Sequence, residues 1–293
     1  MNDGPNGLLV IDKPRGITSH DAVAQARRLF ATRSVGHAGT LDPMATGVLV
    51  LLFGEACKLS SYLTADDKTY MTTVRLGVGT DSLDADGVET ARVELPVGWP
   101  EANQLDLALA AELARTEQIP PSVSAIHDRG VRAHVRARRG ESLDLAPRPI
   151  AVRSLRLCER AGLDISLELR VSKGFYVRAL ARDLGERLGA PAHLTALRRT
   201  ASGAFTLADA SPWPPAAPPA LMTPEEAALR ALPITRLNDE GVVCARQGKR
   251  LAPEQATPAE IGKVSAWLAP DGALIALGMT CEDGSLRVVR GFR

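Results

Sequence analysis

Gly36-His-Ala-Gly-Thr-Leu-Asp42-Pro-Met-Ala-Thr-Gly47 places three glycines and an Asp-Pro step within twelve residues. Glycine opens positive φ, and the residue before proline is pushed out of the α region, so the stretch reads as neither helix nor central strand. The apolar run Val48-Leu-Val-Leu-Leu-Phe53 follows at once, with the length and composition of a buried strand. Together they put one carboxylate, Asp42, on a restrained loop at the edge of a sheet. No Lys-Ser/Thr follows the glycines, which excludes a phosphate-binding P-loop. A lone Asp-Pro is most often a turn residue, so the meaning of Asp42 depends on what surrounds it.

The 293-residue chain is long enough for one large domain and a small one. It is 45% hydrophobic but only 4% aromatic, so leucine, valine and alanine must fill the core. The net charge of +1 predicts no partner by itself. Four cysteines, Cys57, Cys158, Cys244 and Cys281, lie far apart without a Cys-x-x-Cys pair. They read as reduced, buried thiols of a cytoplasmic protein, not as a zinc site or a disulfide framework. The polar N-terminus lacks the pattern of a cleavable signal, and no apolar run reaches eighteen residues, so neither secretion nor membrane spanning is expected.

Working outward, Leu8–Ile11 reads as a short strand that ends in the turn Asp12-Lys13-Pro14-Arg15-Gly16. Thr18-Ser-His-Asp21 has capping-box form and is followed by Val23, Ala26 and Phe30 at helical spacing. Thr69–Leu76 alternates, with Tyr70 on the face of Val74 and Leu76. The acidic loop Gly77–Gly87 invites a calcium reading, but Val93 falls where the bidentate glutamate is required, so metal is rejected. A helix is expected over 107–116. From Arg129 to Arg160 there are nine arginines against three acids, Glu141, Asp144 and Glu159. Such a block is either a solvated face or a phosphate-backbone binder, and arginine's planar fork favours the second. Leu163–Val171 alternates without a break and predicts a half-buried strand. Val177, Leu180, Ala181, Leu184 and Leu188 then form one helical stripe closed by Gly189 and Pro191. Arg178 falls in the first turn of that helix, on the polar side of the stripe, where the helix dipole disfavours a cation. It is either an exposed surface arginine or the partner of a nearby anion. Pro212–Pro219 reads as a polyproline spacer, followed by a helix over 224–232 and three short strands, 264–268, 274–277 and 286–289, in a small β-barrel-like module.

Taken together, these stretches resemble the TruB-type tRNA pseudouridine synthases. The resemblance is carried by Gly36–Gly47, the Lys13-Pro14 turn, Lys68-Thr-Tyr70, Gly77–Gly87, Gly174-Phe-Tyr176-Val-Arg178 through Gly185, and His193-Leu-Thr-Ala-Leu197-Arg-Arg199, in the family's order. The last sixty residues are similar to a PUA-type RNA-binding domain, through Ala245–Leu251 and the final strands. One arm departs: where the family has Pro-Pro-x-Tyr-Ser-Ala-x-Lys, this chain has Val123 for the aromatic and His127 for the lysine.

The resemblance implies an α+β fold: a catalytic domain over 1–232 on a mixed, largely antiparallel sheet flanked by helices, with a basic RNA-binding arm at about 119–160 and a PUA-like module over 233–293. It implies isomerisation of uridine 55 in the tRNA T-loop, with Asp42 as the catalytic carboxylate, Tyr70 stacked on the uracil and accepting the C5 proton, and Arg178 keeping Asp42 ionised. His37 would support the flipped-out RNA, Tyr176 and Leu197 would line the base pocket, and Lys13 and Pro14 would belong to the substrate site. Arg132, Arg136, Arg138 and Arg139 would lie over the RNA backbone. The isomerisation needs no redox partner or energy source, so no cofactor or metal is implied; tRNA is the expected partner, with the protein acting as a monomer and without a protein partner. A non-catalytic tRNA chaperone and a guide-RNA-dependent relative remain as alternatives.

Overall fold

The computed structural model describes residues 4–122, 127–128, 131–132, 145–257 and 260–292. Its centre is a nine-stranded sheet. We number its strands β1 (Gly7–Lys13), β2 (Val35–Ala38), β3 (Thr46–Phe53), β4 (Lys68–Leu76), β5 (Val152–Ala161), β6 (Asp164–Val171), β7 (Ala192–Ser202), β8 (Phe205–Thr206) and β9 (Ser211–Pro212). The main path runs β5-β6-β4-β7-β3-β1-β9, with β2 paired to β3 and β8 to β7. Only β1–β9 and β3–β7 are parallel, so the sheet is mixed and largely antiparallel, as expected.

Two kinds of strand in the sequence correspond to two environments. β1 and β3 are apolar without alternation because both of their faces are covered. Leu9, Ile11, Leu49, Leu51 and Phe53 face a layer built by helix α1 (Ser19–Leu29), whose Ala22, Val23 and Ala26 pack there. Leu8, Val10, Val48, Val50 and Leu52 face the opposite side, against Leu63 of α2 (Ser60–Ala65). β4 and β6 alternate because one face alone is covered: Val74, Leu76, Ile165, Leu167 and Leu169 pack under α3 (Ala102–Leu113) and α4 (Val177–Leu188). The α3 register begins and ends earlier than the 107–116 expected. Its start is set by Glu101 and Gln104, whose side chain accepts from the Glu101 N–H at 3.0 Å. α1 starts on the capping box read from sequence: the Thr18 hydroxyl accepts from the Asp21 N–H at 3.0 Å, and the Asp21 carboxylate accepts from the Thr18 N–H at 2.9 Å.

Gly36–Ala38, expected in the glycine-rich loop, lies in β2 and pairs with β3, so the irregular segment starts at Gly39. At the other end of the loop, Gly47 has φ +101°, and an added Cβ would run into the Arg199 carbonyl oxygen of neighbouring β7.

After α5 (Pro224–Ala231), strands β10 (Ile234–Arg236), β11 (Val264–Leu268), β12 (Leu274–Thr280) and β13 (Leu286–Gly291) form a four-stranded sheet in sequence order, accompanied by α6 (Asp239–Arg246). This sheet is anchored to the large one. Ala266, Leu268, Leu274 and Leu277 share a core with Leu8, Val10, Val48 and Val50. The four cysteines are free but none is fully buried, contrary to the buried reading: Cys57, Cys244 and Cys281 are partly exposed, and Cys158 is exposed because it stands on the edge strand β5. Among the described residues, no helix is long and apolar enough to cross a membrane.

Gly47 gives a direct test of how the loop meets the sheet. Gly47→Ala combines positive-φ strain with a clash against rigid backbone and should lower unfolding stability by roughly 3 kcal/mol. Gly291→Ala, where nothing lies within 4 Å of the added Cβ, should be near neutral in the same denaturant titration.

Candidate active site

The Asp42 loop, running from Gly39 to Ala45 between β2 and β3, meets the N-terminal end of α4 across a cavity of about 1160 Å³. That volume exceeds the usual range for a drug-sized ligand. Asp42, Tyr70, Tyr176, Arg178 and Leu197 all line it, with Lys68, Lys173 and Arg148 adding cations to its wall.

Its organising contact joins residues 136 positions apart. Arg178 Nε donates to Asp42 Oδ2 at 2.9 Å and Nη2 to Asp42 Oδ1 at 3.1 Å, a two-pronged pair. Arg178 is only 5% exposed, whereas the Asp42 side chain keeps about a third of its surface open (33%) toward the cavity. This corrects the placement of Arg178 on a polar, unpacked face. The cation at a helix start, unfavourable on its own, is compensated from three directions. Nη1 donates to the Ser82 carbonyl at 2.9 Å, and the buried Asp84 carboxylate lies 3.7 Å from Nε. Asp84 is itself oriented by the Ser82 hydroxyl at 2.6 Å and the Asp86 N–H at 3.1 Å. Between them Leu83 takes φ +63°, a left-handed conformation rare for leucine, which turns both Ser82 and Asp84 toward the guanidinium. No pattern in the sequence sets Ser82 and Asp84 apart; the acidic loop Gly77–Gly87 is legible there, but its distance from Arg178 is not.

Tyr70 sits on β4 beside the loop, 9% exposed, its backbone paired with Leu169 on one side and Arg199 on the other. Tyr176 is the residue preceding α4, and the Gln118 side chain holds its backbone: the Tyr176 N–H donates to Oε1 at 2.9 Å and Nε2 donates to the Tyr176 carbonyl at 3.2 Å.

Lys13, Pro14 and His37 do not line the cavity. Lys13 is fully buried beneath the loop, where its ammonium donates to the carbonyls of Pro14 at 2.9 Å, Ile17 at 2.7 Å and Pro43 at 3.5 Å. Burial pulls its pKa down to about 8, with the Asp42 charge acting in the opposite sense. Lys68 is likewise buried, with its ammonium on the Thr64 and Asp66 carbonyls at 2.6 and 2.7 Å, and burial lowers it to about 8. His37 packs edge-on to His20 with ring centroids 5.5 Å apart. Burial, reinforced by His20 and Arg199, lowers its pKa to about 4, so its ring is neutral near pH 7 and has no proton to donate as an acid.

Within the basic run, Arg132 lies on a two-residue strand paired with His127–Asp128, while Arg136, Arg138 and Arg139 lie outside the described residues. Arg156 is committed to Glu168, and Arg153 lies 3.4 Å from Asp67. Among the described residues, no group of three His, Cys, Asp or Glu side chains is arranged to hold a metal ion. The chemistry available is that of a fixed, partly open carboxylate beside a phenol, in a cavity walled by cations.

The profile of the TruB family pseudouridylate synthase N-terminal domain matches residues 27–177, and that of the tRNA pseudouridylate synthase B C-terminal domain matches 178–213. The chain is 43% identical over 286 residues to the tRNA pseudouridine synthase B of Arthrobacter sp. (strain FB24), covering 93% of this chain and 92% of the relative. It is 42% identical over 298 residues to that of Cutibacterium acnes (strain DSM 16379 / KPA171202), covering 99% of each. Among solved structures, a chain of a Cbf5-Nop10-Gar1 complex superposes with a TM-score of 0.72 at 23% identity, over 98% of this chain and 84% of that one, a likeness of fold. Asp42 lies in the first of these matched regions and Arg178 opens the second; with one family profile over more than half of its length and relatives above 40% identity along nearly all of it, the chain belongs to the TruB family of pseudouridylate synthases.

Proposed function

We propose that this protein is a tRNA pseudouridine synthase that isomerises uridine 55 of the T-loop, with Asp42 as its catalytic carboxylate. The observation that carries the reading is the two-pronged Arg178–Asp42 pair, which holds one carboxylate in a fixed orientation at the wall of a cavity large enough for extruded RNA. Turning uridine into pseudouridine breaks the N1–C1′ bond, rotates the base and forms a C5–C1′ bond. One proton leaves C5 and one is taken up at N1, so the reaction balances without a redox partner. A carboxylate beside the sugar can attack it or stabilise positive charge there. Arg178 keeps that carboxylate aimed, through its two hydrogen bonds. Tyr70, on the adjoining strand, stacks on the uracil and accepts the C5 proton. Tyr176 and Leu197 complete the base pocket, and neutral His37 supports the displaced RNA strand.

The target base has to leave its stack, at a cost of a few kcal/mol. A T-loop offers exposed bases and a shape that a protein can recognise. Lys68, Lys173 and Arg148 bring positive charge to the cavity wall, and Arg132, Arg136, Arg138 and Arg139 are the residues assigned to the RNA backbone. Residues 1–232 form the catalytic domain, with its arm at 119–160. The module over 233–293 is a PUA-like contact for the acceptor stem. The protein works as a cytoplasmic monomer without a protein partner. Lys13 and Pro14 shape the site from beneath the loop.

The test uses tRNA carrying tritium at C5 of the T-loop uridine. The wild-type protein should release the label in single turnover. Asp42→Asn should fall below about one percent of that rate with tRNA affinity kept within a few-fold, because the shape is retained and the charge lost. Turnover by the variant above that level, or a parallel loss of affinity and stability, would remove Asp42 from its role.

Arg178→Lys keeps the charge but cannot present a planar fork. Single-turnover rate should drop roughly a hundredfold with tRNA affinity nearly unchanged, because misplacing a reacting group by about 1 Å costs that much. Because the guanidinium is buried and also holds Ser82, the variant should be less stable by about 1–3 kcal/mol. A near wild-type rate would make the pair irrelevant to the chemistry; lost tRNA binding with intact chemistry would make Arg178 a phosphate ligand.

A further inference from the structure

We infer that Arg199 and Ser19 form a buried clamp that sets where the Asp42 carboxylate stands, and that both are positioning residues for the reaction; the inference rests on the reading of Asp42 given above. The backbone of the loop is held residue by residue. Arg199 Nη2 donates to the Gly39 carbonyl at 3.0 Å and Nη1 to the Thr40 carbonyl at 3.3 Å, while Nε ties the same side chain to the Val48 carbonyl of β3 at 2.7 Å. Ser19 then takes both polar groups of Leu41: its hydroxyl accepts from the Leu41 N–H at 2.8 Å and lies 3.2 Å from the Leu41 carbonyl. Asp42 comes next in the chain.

Neither side chain is placed to meet RNA. Arg199 borders the cavity but is 1% exposed, and Ser19 is fully buried. Among the described residues, Arg199 has no carboxylate within ion-pair distance. A buried guanidinium facing only carbonyls carries a desolvation cost that an apolar side chain of similar volume would avoid. What the arginine adds is direction: three bonds from a rigid fork to two segments of main chain. Its own backbone increases the constraint, since on β7 Arg199 is the register partner of Tyr70 on one side and of Gly47 on the other. One residue thus fixes the Asp42 loop relative both to the strand that carries Tyr70 and to the hinge where the loop re-enters the sheet. Lys13, donating to the Pro43 carbonyl from below, closes the far side of Asp42.

The test measures rate, affinity and local exchange in Ser19→Ala and Arg199→Lys. In each, single-turnover release of C5 tritium should fall about 10–100-fold while tRNA affinity changes little, since a displaced nucleophile still leaves the binding surface in place. Amide hydrogens of the 39–45 segment should exchange faster at temperatures where the variant remains fully folded. Adding Arg178→Lys to Ser19→Ala should cost less than it does in the wild type, because the two changes loosen the same carboxylate. Unchanged rates, or rates reduced only in proportion to the folded fraction with loop exchange unaltered, would overturn the inference. If wild-type protein releases no label, the proposed function fails and the exchange data alone decide whether the clamp exists. Should Arg199→Lys fail to fold, Ser19→Ala, which removes one hydroxyl, carries the test.

Discussion

The bidentate bond between Arg178 and Asp42 is the constraint on which the site depends. It joins the first turn of a helix to a loop 136 residues earlier, so it forms only when both are placed by the fold. α4 is placed by its apolar face: Leu180, Ala181 and Leu184 pack on the same core as β4 and β6, which fixes the rotation of the helix and turns Arg178 toward the loop. A guanidinium so buried would be costly alone. Here it meets one carboxylate squarely, a second at 3.7 Å and a carbonyl, and only the Asp42 carboxylate keeps a face open to the cavity. The arrangement leaves Arg178 a holder and Asp42 the group that can react.

The layers of the fold explain why the site is where it is. β3 is buried on both faces and continues directly from the loop, so the loop's exit is anchored in a strand that belongs to two cores. Besides Arg178, three further buried cations stand around it, Lys13, Lys68 and Arg199, each donating to main-chain carbonyls. Lys13 and Arg199 satisfy loop carbonyls that the irregular segment cannot pair with itself, and Lys68 satisfies carbonyls at the C-terminal end of α2. They also place positive charge beneath a cavity suited to a polyanion. Burial, with the nearby Arg199 charge adding to it, holds both Lys13 and Lys68 near 8.

What the sequence revealed was local in origin. Glycines and an Asp-Pro step announced the loop, unbroken apolar runs announced β1 and β3, and alternation announced β4 and β6, because each pattern records burial of the residues themselves. The Asp42–Arg178 partnership was reachable only through resemblance, since no periodicity relates residues so far apart. The burial of Arg178, the second anchor at Ser82 and Asp84, and the removal of Lys13 from the cavity depend on tertiary distances. Leu83 illustrates the limit: nothing in its side chain signals a left-handed backbone, and that turn brings the acidic loop onto Arg178. The shared core of the two sheets was hidden for the same reason, because the apolar residues of β11 and β12 do not say which face they cover.

The central claim is that the pair exists in the free protein, before RNA arrives. It is tested most directly by a double-mutant cycle on unfolding free energy without tRNA, using Asp42→Asn, Arg178→Met and the double variant. A preformed, partly buried pair predicts a coupling of at least about 1 kcal/mol between the two positions. Additive losses, with coupling near zero, would mean that the two side chains do not hold each other in the free protein and would contradict the account.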